Sequence, residues 1–141
     1  MVTVFDPAVR LFVFLVLIST QQLFSQSSSI KNGQIVYTTF CQSCHQENGE
    51  GVPSAFPPLA KASNLNDKNR LVQIILKGMR GEITVKSVKY NVEMAAIDLK
   101  DQEVADVINY IRNSWGNKAP LITVGDVVAA KKAVVKGLQP F

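Results

Sequence analysis

The stretch Cys41-Gln42-Ser43-Cys44-His45 decides how the rest of this 141-residue chain is interpreted. It holds both cysteines and the only histidine of the sequence. A structural zinc site needs about four nitrogen or sulfur ligands, and these residues offer three, so zinc is disfavoured. A plain disulfide between Cys41 and Cys44 would close a very small loop and would constrain the unfolded chain little. Another chemistry must account for the pattern.

The spacing of these residues is the one by which haem c is attached to a protein. Each thiol adds to a vinyl group of the haem, and the histidine directly after the second cysteine becomes an axial ligand of the iron. We therefore predict one covalently bound haem c, attached through Cys41 and Cys44 and ligated by His45. The main alternative is a thiol–disulfide oxidoreductase without haem. It would need a helix directly after the motif, whereas glycines and prolines follow here.

The second axial ligand cannot be a histidine, because the chain has no other. Methionine is the next candidate. Met94 lies in an irregular stretch before an amphipathic segment, and we predict that it is the ligand. Met79 is the alternative, although it can equally be an ordinary core residue. An open, water-ligated or lysine-ligated iron would instead suit a haem enzyme or a ligand sensor.

A ligand histidine is oriented by an acceptor for the hydrogen on its Nδ1 atom. Pro57 lies twelve residues after His45, and its carbonyl oxygen can accept although the proline ring removes its own N–H. We predict this hydrogen bond; a turn without contact to His45 is the alternative. The prolines and glycines between residues 46 and 66 exclude a regular helix there. A cofactor would give such a long loop something to pack against.

Three segments with helical spacing of apolar residues predict the main helices. They cover residues 33–40, 67–77 and 101–115. Residues 83–90 predict a small hairpin or an irregular loop, and residues 126–136 predict a short terminal helix. The fold class is thus all-α, with long loops around one haem. We expect the chain without haem to be largely unstructured or molten.

The first 25 residues predict an export signal. An uninterrupted apolar run of eight, Leu11 to Ile18, follows Arg10, whereas a spanning helix needs roughly 20 apolar residues. We expect signal cleavage and a periplasmic protein; an uncleaved signal that anchors the protein to the membrane is the alternative. The domain boundaries that we predict are 1–25 for the signal, 26–30 for a flexible leader, 31–118 for one folded domain and 119–141 for a C-terminal extension.

The charge of the chain adds little about its partners. Lys and Arg outnumber Asp and Glu by 15 to 11, and the excess is spread too thinly to indicate nucleic acid binding. With both axial positions of an iron filled, no small-molecule substrate can bind to it. The predicted protein is therefore an electron carrier and not an enzyme.

Taken together, these residues resemble class I monohaem cytochrome c over about residues 31–118. The resemblance implies the cytochrome c fold and a soluble one-electron carrier. It also implies a donor that is an exported dehydrogenase or is linked to quinol, and an acceptor such as a nitrite reductase or a terminal oxidase. Besides the Cys-x-x-Cys-His motif, the stretches that carry the resemblance are Gln46 to Pro53, Phe56-Pro57-Pro58-Leu59, Tyr90-Asn91 ahead of Met94, and Val107 to Asn117.

The resemblance also implies roles for single residues. Pro57 matches the acceptor for the ligand histidine, Leu59 the apolar residue packed on the haem, and Met94 the sixth ligand. The first and last main helices would cross where Gly33 and Tyr37 meet Val107 and Tyr110.

Three positions depart from the family pattern. Ala95 stands where proline usually follows the ligand methionine, so we expect a less rigid methionine loop. Lys86-Ser87 replaces an Asn-Gly turn, and Lys100 replaces a serine or threonine helix cap.

Overall fold

The structure is a computed structural model that describes residues 6–8, 11 and 28–134. The predicted signal over residues 1–25 therefore lies almost wholly outside the described part, as does the predicted cleavage site. Within the described residues, no helix is both long enough and apolar enough to cross a membrane.

The described part of the first helix, α1, covers residues 28–40. It already includes residues 28–30, which we expected in a flexible leader. Side-chain contacts explain the difference: the Ser29 hydroxyl donates to the Asp106 carboxylate at 2.5 Å and accepts from the Asn109 amide at 3.0 Å. These contacts fasten the first described turn of α1 to the last main helix.

The remaining elements follow in chain order, with a single turn of 3₁₀ helix at Ser63–Leu65. They are α2 at Gln42–His45, α3 at Lys68–Lys77, β1 at Ile83–Val85, β2 at Val88–Tyr90, α4 at Asp101–Ile111 and α5 at Val124–Lys132.

The small antiparallel sheet forms although its turn lacks Asn-Gly. Val85 pairs with Val88 across the turn, and Lys86 and Ser87 both adopt positive φ angles of 49° and 64°. Positive φ at both central positions is the mark of a type I′ turn, one of the two common two-residue hairpin turns. Lys86 and Ser87 therefore carry a strained conformation that Asn-Gly would adopt more easily.

Helix α4 begins at Asp101, where the Glu103 side chain accepts from the Lys100 backbone N–H at 2.8 Å. It ends at Ile111, four residues earlier than predicted. The chain then leaves the helical path, since Trp115 has a φ of 54°, and the amide of Asn117 donates to the Ile111 carbonyl at 2.8 Å. Such a side-chain bond satisfies a carbonyl that has no partner within the helix.

Helices α1 and α4 cross at Gly33, as the resemblance implies. A Cβ atom built on Gly33 would lie 1.9 Å from the carbonyl oxygen of Asp106, so only glycine permits this approach. Beside the crossing, Tyr37 packs against Tyr110 and Trp115 with ring centroids 5.4 and 4.9 Å apart. This aromatic cluster fixes the end of α1 that leads into Cys41.

Helix α5 lies within the same core as the other helices. Its Val127 and Ala130 are fully buried, and the side-chain amide of the buried Gln73 in α3 donates to the carbonyl oxygens of Ala130 and Ala133 at 2.9 and 2.6 Å. We predicted a terminal helix beyond the folded domain. The described part of the 119–141 extension instead buttresses α3, and its helix is offset from the predicted 126–136.

Candidate haem site

One cleft collects most of the residues that the sequence singled out. Two adjoining cavities of about 290 and 90 Å³ lie side by side. Since they share several lining residues, they are two parts of one cleft. The shared residues are Cys41, His45, Pro57, Met79, Ile83 and Met94.

The turn of chain after α1 positions the Cys-x-x-Cys-His residues. The backbone N–H of Cys41 donates to the Tyr37 carbonyl at 2.8 Å, and the N–H of His45 donates to the Cys41 carbonyl at 2.9 Å. Both cysteines are free thiols that line the larger cavity. Burial, followed by the proximity of Cys44, raises the pKa of the Cys41 thiol to about 11, so this thiol is protonated at neutral pH.

The imidazole of His45 is held by the carbonyl of Pro57. Nδ1 of His45 lies 3.0 Å from the Pro57 oxygen, which is the contact expected from the sequence. Because a carbonyl can only accept, Nδ1 carries the hydrogen. Burial lowers the pKa of His45, with the Pro57 bond acting in the opposite direction. A neutral ring with its hydrogen on Nδ1 leaves the lone pair of Nε2 available for a metal.

The loop after the motif places Pro57 by a tight turn. The backbone N–H of Gly51 donates to the His45 carbonyl at 3.0 Å, and Val52 pairs with Phe56. Gly51 has a φ of 67°, and a Cβ atom there would lie 2.3 Å from the Phe56 oxygen. The long loop therefore has a defined path although it contains no regular helix.

Met94 and Met79 lie next to each other in the wall of the cleft. Each donates its backbone N–H to the other's carbonyl, both at 2.8 Å, and both side chains line both cavities. Met79 is buried, whereas Met94 is partly exposed. The sequence predicts Met94 as the ligand, with Met79 as the alternative, and the structure places both residues at the cleft. Their pairing was not predicted, because a contact between residues this far apart in the chain has no local signal.

Leu59 lines the smaller cavity and is half-buried. Its backbone N–H donates to the Gly49 carbonyl at 2.7 Å, and its carbonyl accepts from the Asn117 amide at 2.9 Å. Leu59 is thus fixed both to its own loop and to the segment that follows α4.

Tyr37 supports the site in a way that sequence reasoning missed. Its hydroxyl donates to the Gln46 carbonyl at 2.7 Å, directly after the motif. Burial raises the pKa of Tyr37 well above its ordinary range, so the phenol keeps its hydrogen. The position of Tyr37 one helical turn before Cys41 is the sequence signal that could have indicated this contact.

The chemistry of the cleft fits a haem. The donors are two thiols, one imidazole and two thioethers, which are ligand types that hold haem iron or attach haem c. Among the described residues, no cluster of His, Cys, Asp and Glu suits a bare metal ion. The other walls are largely apolar, and they include Phe40, Phe56, Tyr90, Leu71, Ile74, Ile75, Ile108 and Ile111.

Comparison with known proteins identifies the class to which this fold and cleft belong. The sequence matches the family model described as cytochrome c over residues 30–115. Since this match covers more than half of the chain, the chain belongs to the cytochrome c family.

Particular relatives can also be named. Cytochrome c-552 of Thermus thermophilus is 40% identical over 107 residues, which cover 72% of this chain and 71% of that protein. The cytochrome c subunit of alcohol dehydrogenase (quinone) from Gluconacetobacter polyoxogenes is 34% identical, with 77% of this chain and 24% of the subunit covered. The cytochrome c subunit of gluconate 2-dehydrogenase from Pantoea cypripedii is 30% identical, with 81% and 29% covered. The chain thus matches under a third of each dehydrogenase subunit.

Family membership confirms several predictions made from the sequence. The chain has the all-α cytochrome c fold, binds haem c and functions as an electron carrier. A thiol–disulfide oxidoreductase without haem is set aside.

Proposed function

We propose that this protein is a one-electron carrier whose single haem c is attached by Cys41 and Cys44 and ligated by His45 and Met94. The observation that carries the proposal is that all four side chains line one apolar cleft from two separate parts of the chain. When bound, the haem supplies a one-electron iron couple. With His45 and Met94 both bound to it, the iron would have no position open to a substrate.

The residues around these four have supporting roles. Pro57 holds Nδ1 of His45 and so aims Nε2 into the cleft. Leu59 would cover the haem from the side of the smaller cavity, and the apolar walls would exclude water. A dry, apolar setting of this kind is one of the ways in which a protein sets a haem potential.

Methionine variants test the ligand assignment. Met94→Leu changes volume little but removes the thioether, so the weak long-wavelength absorption band that ferric haem shows with a thioether ligand should disappear. Met79→Leu is the matched control, since Met79 lines the same cleft, and it should keep the band. Loss of the band in Met79→Leu with retention in Met94→Leu would reverse the assignment.

The partners that we infer are an exported dehydrogenase or quinol-linked donor and an oxidase or reductase, with terminal oxidases and nitrite reductases as the acceptor types. The dehydrogenase subunits among the relatives support the donor class. Phe40 and Val92 line the larger cavity and are 48% and 40% exposed, which suits the small, brief contacts of redox proteins. Reduction of the ferric protein by a purified quinone-linked dehydrogenase from the same cells, followed by stopped flow, tests this. A rate no faster than that with an unrelated dehydrogenase contradicts it.

We infer that the protein works outside the cytoplasm, in the periplasm, after loss of residues 1–25. The apolar run before residue 19 supports this. The intact mass of protein purified from its own cells measures the mature N-terminus, and a mass that includes Met1 would instead support a membrane-anchored form.

A further inference from the structure

The end of helix α3 carries an arrangement that the known function does not explain. The helix ends at Lys77, and Gly78 follows with φ 69° and ψ −178°. This backbone conformation is open essentially to glycine alone. It turns Met79 out of the helical path and towards Met94.

The turn at Gly78 redistributes the hydrogen bonds of the helix end. In a continued helix, the N–H of Met79 would donate to the carbonyl of Ile75. Here it donates to Met94, which donates back, both at 2.8 Å. The carbonyl of Ile75 is then free for the N–H of Ile97, which donates to it at 2.8 Å. Three backbone hydrogen bonds therefore tie the segment 94–97 to the end of α3.

The segment that is tied down has little else in its own structure to hold it. Residues 95–100 are neither helix nor strand, and Ala95 and Ala96 are exposed. Alanine does not restrict the backbone angle as proline would. Met94 and Ile97, by contrast, are partly buried, and they are the residues that make the three bonds.

Helix α3 is a firm support for this attachment. Its Gln73 side chain is buried and bonded to two carbonyls at the end of α5, and Lys68 at its start pairs with Asp126 of α5 at 2.5 Å. The segment 94–97 is therefore held against a helix that is itself bonded to α5 at its start and near its middle.

We propose that Gly78 is a positioning residue, whose turn presents the backbone of Ile75 and Met79 as a clamp that keeps the Met94 thioether on the iron. The inference rests on the proposed function, because it requires Met94 to be the ligand. The clamp acts through the backbone, so the Met79 side chain is dispensable to it.

Gly78→Ala in the mature holoprotein tests the clamp. Alanine is strained at φ 69°. The strain is relieved when residues 78 and 79 change conformation and the backbone bonds between Met79 and Met94 break. The variant therefore favours a state in which the segment 94–97 is detached from α3. Imidazole binds to the ferric iron only when the methionine is off, and its apparent affinity follows that open fraction. We expect imidazole to bind about tenfold more tightly or better, and the long-wavelength band to be lost at lower imidazole concentration.

Two control variants separate a clamp from general weakening. Gly116→Ala places alanine at a comparable φ of 84° beyond α4, and it should lower thermal stability without changing imidazole affinity. Gly125→Ala in α5 lies outside the cleft, where a Cβ would meet only the Thr123 hydroxyl at 3.5 Å, and it should also bind imidazole as the wild type does. Unchanged affinity in Gly78→Ala, or an equal gain in Gly116→Ala, would overturn the inference.

Amide hydrogen exchange of the wild type gives a test that needs no variant. The amides of Met94 and Ile97 should exchange at least about a hundredfold more slowly than those of Val92 and Glu93, since only the former are bonded to α3. If the amides of Met94 and Ile97 exchange as fast as those of Val92 and Glu93, the proposed clamp is wrong. The proposed ligand fails separately if the wild type lacks the long-wavelength band or if Met94→Leu retains it.

Discussion

At the scale of single residues, the orientation of His45 depends on a glycine six residues away. There is no room for a side chain at Gly51, because a Cβ atom there would lie 2.3 Å from the Phe56 oxygen and 2.8 Å from the Pro57 oxygen. The Pro57 carbonyl is the acceptor for Nδ1 of His45. An acceptor at this position makes the ring a stronger donor to a metal. Gly51, which does not line the cleft, therefore affects how strongly His45 donates to the iron.

Gly51→Ala should displace the Pro57 carbonyl and weaken its bond to His45. A ligand that donates less electron density stabilises ferric iron less, so we expect a higher reduction potential than in the wild type. Potentiometric titration measures it. Gly116→Ala serves as the control, because its Cβ would press only on the flexible Lys61 side chain at 3.0 Å. An unchanged potential in Gly51→Ala would argue against this role of Pro57.

At the scale of secondary structure elements, the crossing of α1 and α4 sets the position of the Cys-x-x-Cys-His turn. Gly33→Ala would place a Cβ 1.9 Å from the Asp106 carbonyl, and overpacking of this kind costs about 1–3 kcal/mol or more. Gly125→Ala in α5 is the matched control, since its Cβ meets only the Thr123 hydroxyl, at 3.5 Å. We expect Gly125→Ala to stabilise the protein by up to about 1 kcal/mol. Denaturant unfolding of the holoproteins should show a lower free energy of unfolding for Gly33→Ala and a higher one for Gly125→Ala. An unchanged free energy of unfolding in Gly33→Ala would contradict the crossing.

The attachment of α5 to α3 should depend on pH through Asp126. Its pKa is lowered to about 2, first by the hydrogen bond from Lys68 and then by those from Thr123. A carboxylate with a folded pKa below its unfolded value of about 3.9 contributes stability above that value and loses it as the pH falls through about 2.

Asp126→Asn tests this contribution. At pH 7 it should lower the free energy of unfolding by about 0.5–1 kcal/mol, because the pair is open to solvent, and the difference from the wild type should close between pH 4 and pH 2. Glu82→Gln is the control, since the side chains of Glu82 and Lys89 are 53% and 72% exposed, and it should have no measurable effect at any pH. A gap that stays constant down to pH 2 would remove Asp126 as the titrating group.

Elements differ in how well the sequence predicted them, and the reason is the range of their contacts. The turn from Cys41 to His45 and helix α3 have local signals, such as the Asp67 side chain that accepts from the Arg70 N–H at 3.0 Å. The helical conformation of residues 28–30 and the packing of α5 instead depend on Ser29 and Gln73, which bond to residues far away in the chain. Polar residues with distant partners have no periodic signature.

The same distinction applies to the candidate site. The Cys-x-x-Cys-His residues and Pro57 belong to one continuous stretch, and their mutual arrangement could be predicted. The pairing of Met79 with Met94 joins the end of α3 to the loop that follows the small hairpin. Only the structure shows this pairing. The sequence predicts that the helix ends at Gly78. The role of Gly78 in presenting Met79 depends on that pairing and could not be predicted.

At the scale of the whole molecule, the cleft lies at the meeting point of the helices. Residues of α3 and α4 line the smaller cavity, while the motif and the Met94 loop line the larger one. Without haem, these apolar walls would face each other across empty space or water, and the core would lose much of its packing. The fold and the cofactor are therefore interdependent.

A variant that cannot attach haem should show this dependence. For Cys41→Ala/Cys44→Ala expressed with the haem attachment machinery, we expect loss of most of the helical signal in far-ultraviolet circular dichroism, because the cleft between α3 and α4 is no longer filled. Met94→Leu is the control: it keeps both thiols and should retain both the haem and the helices. Full helicity in the double variant, measured after haem analysis has confirmed that no haem is bound, would mean that the contacts of α4 and α5 alone suffice to hold the fold.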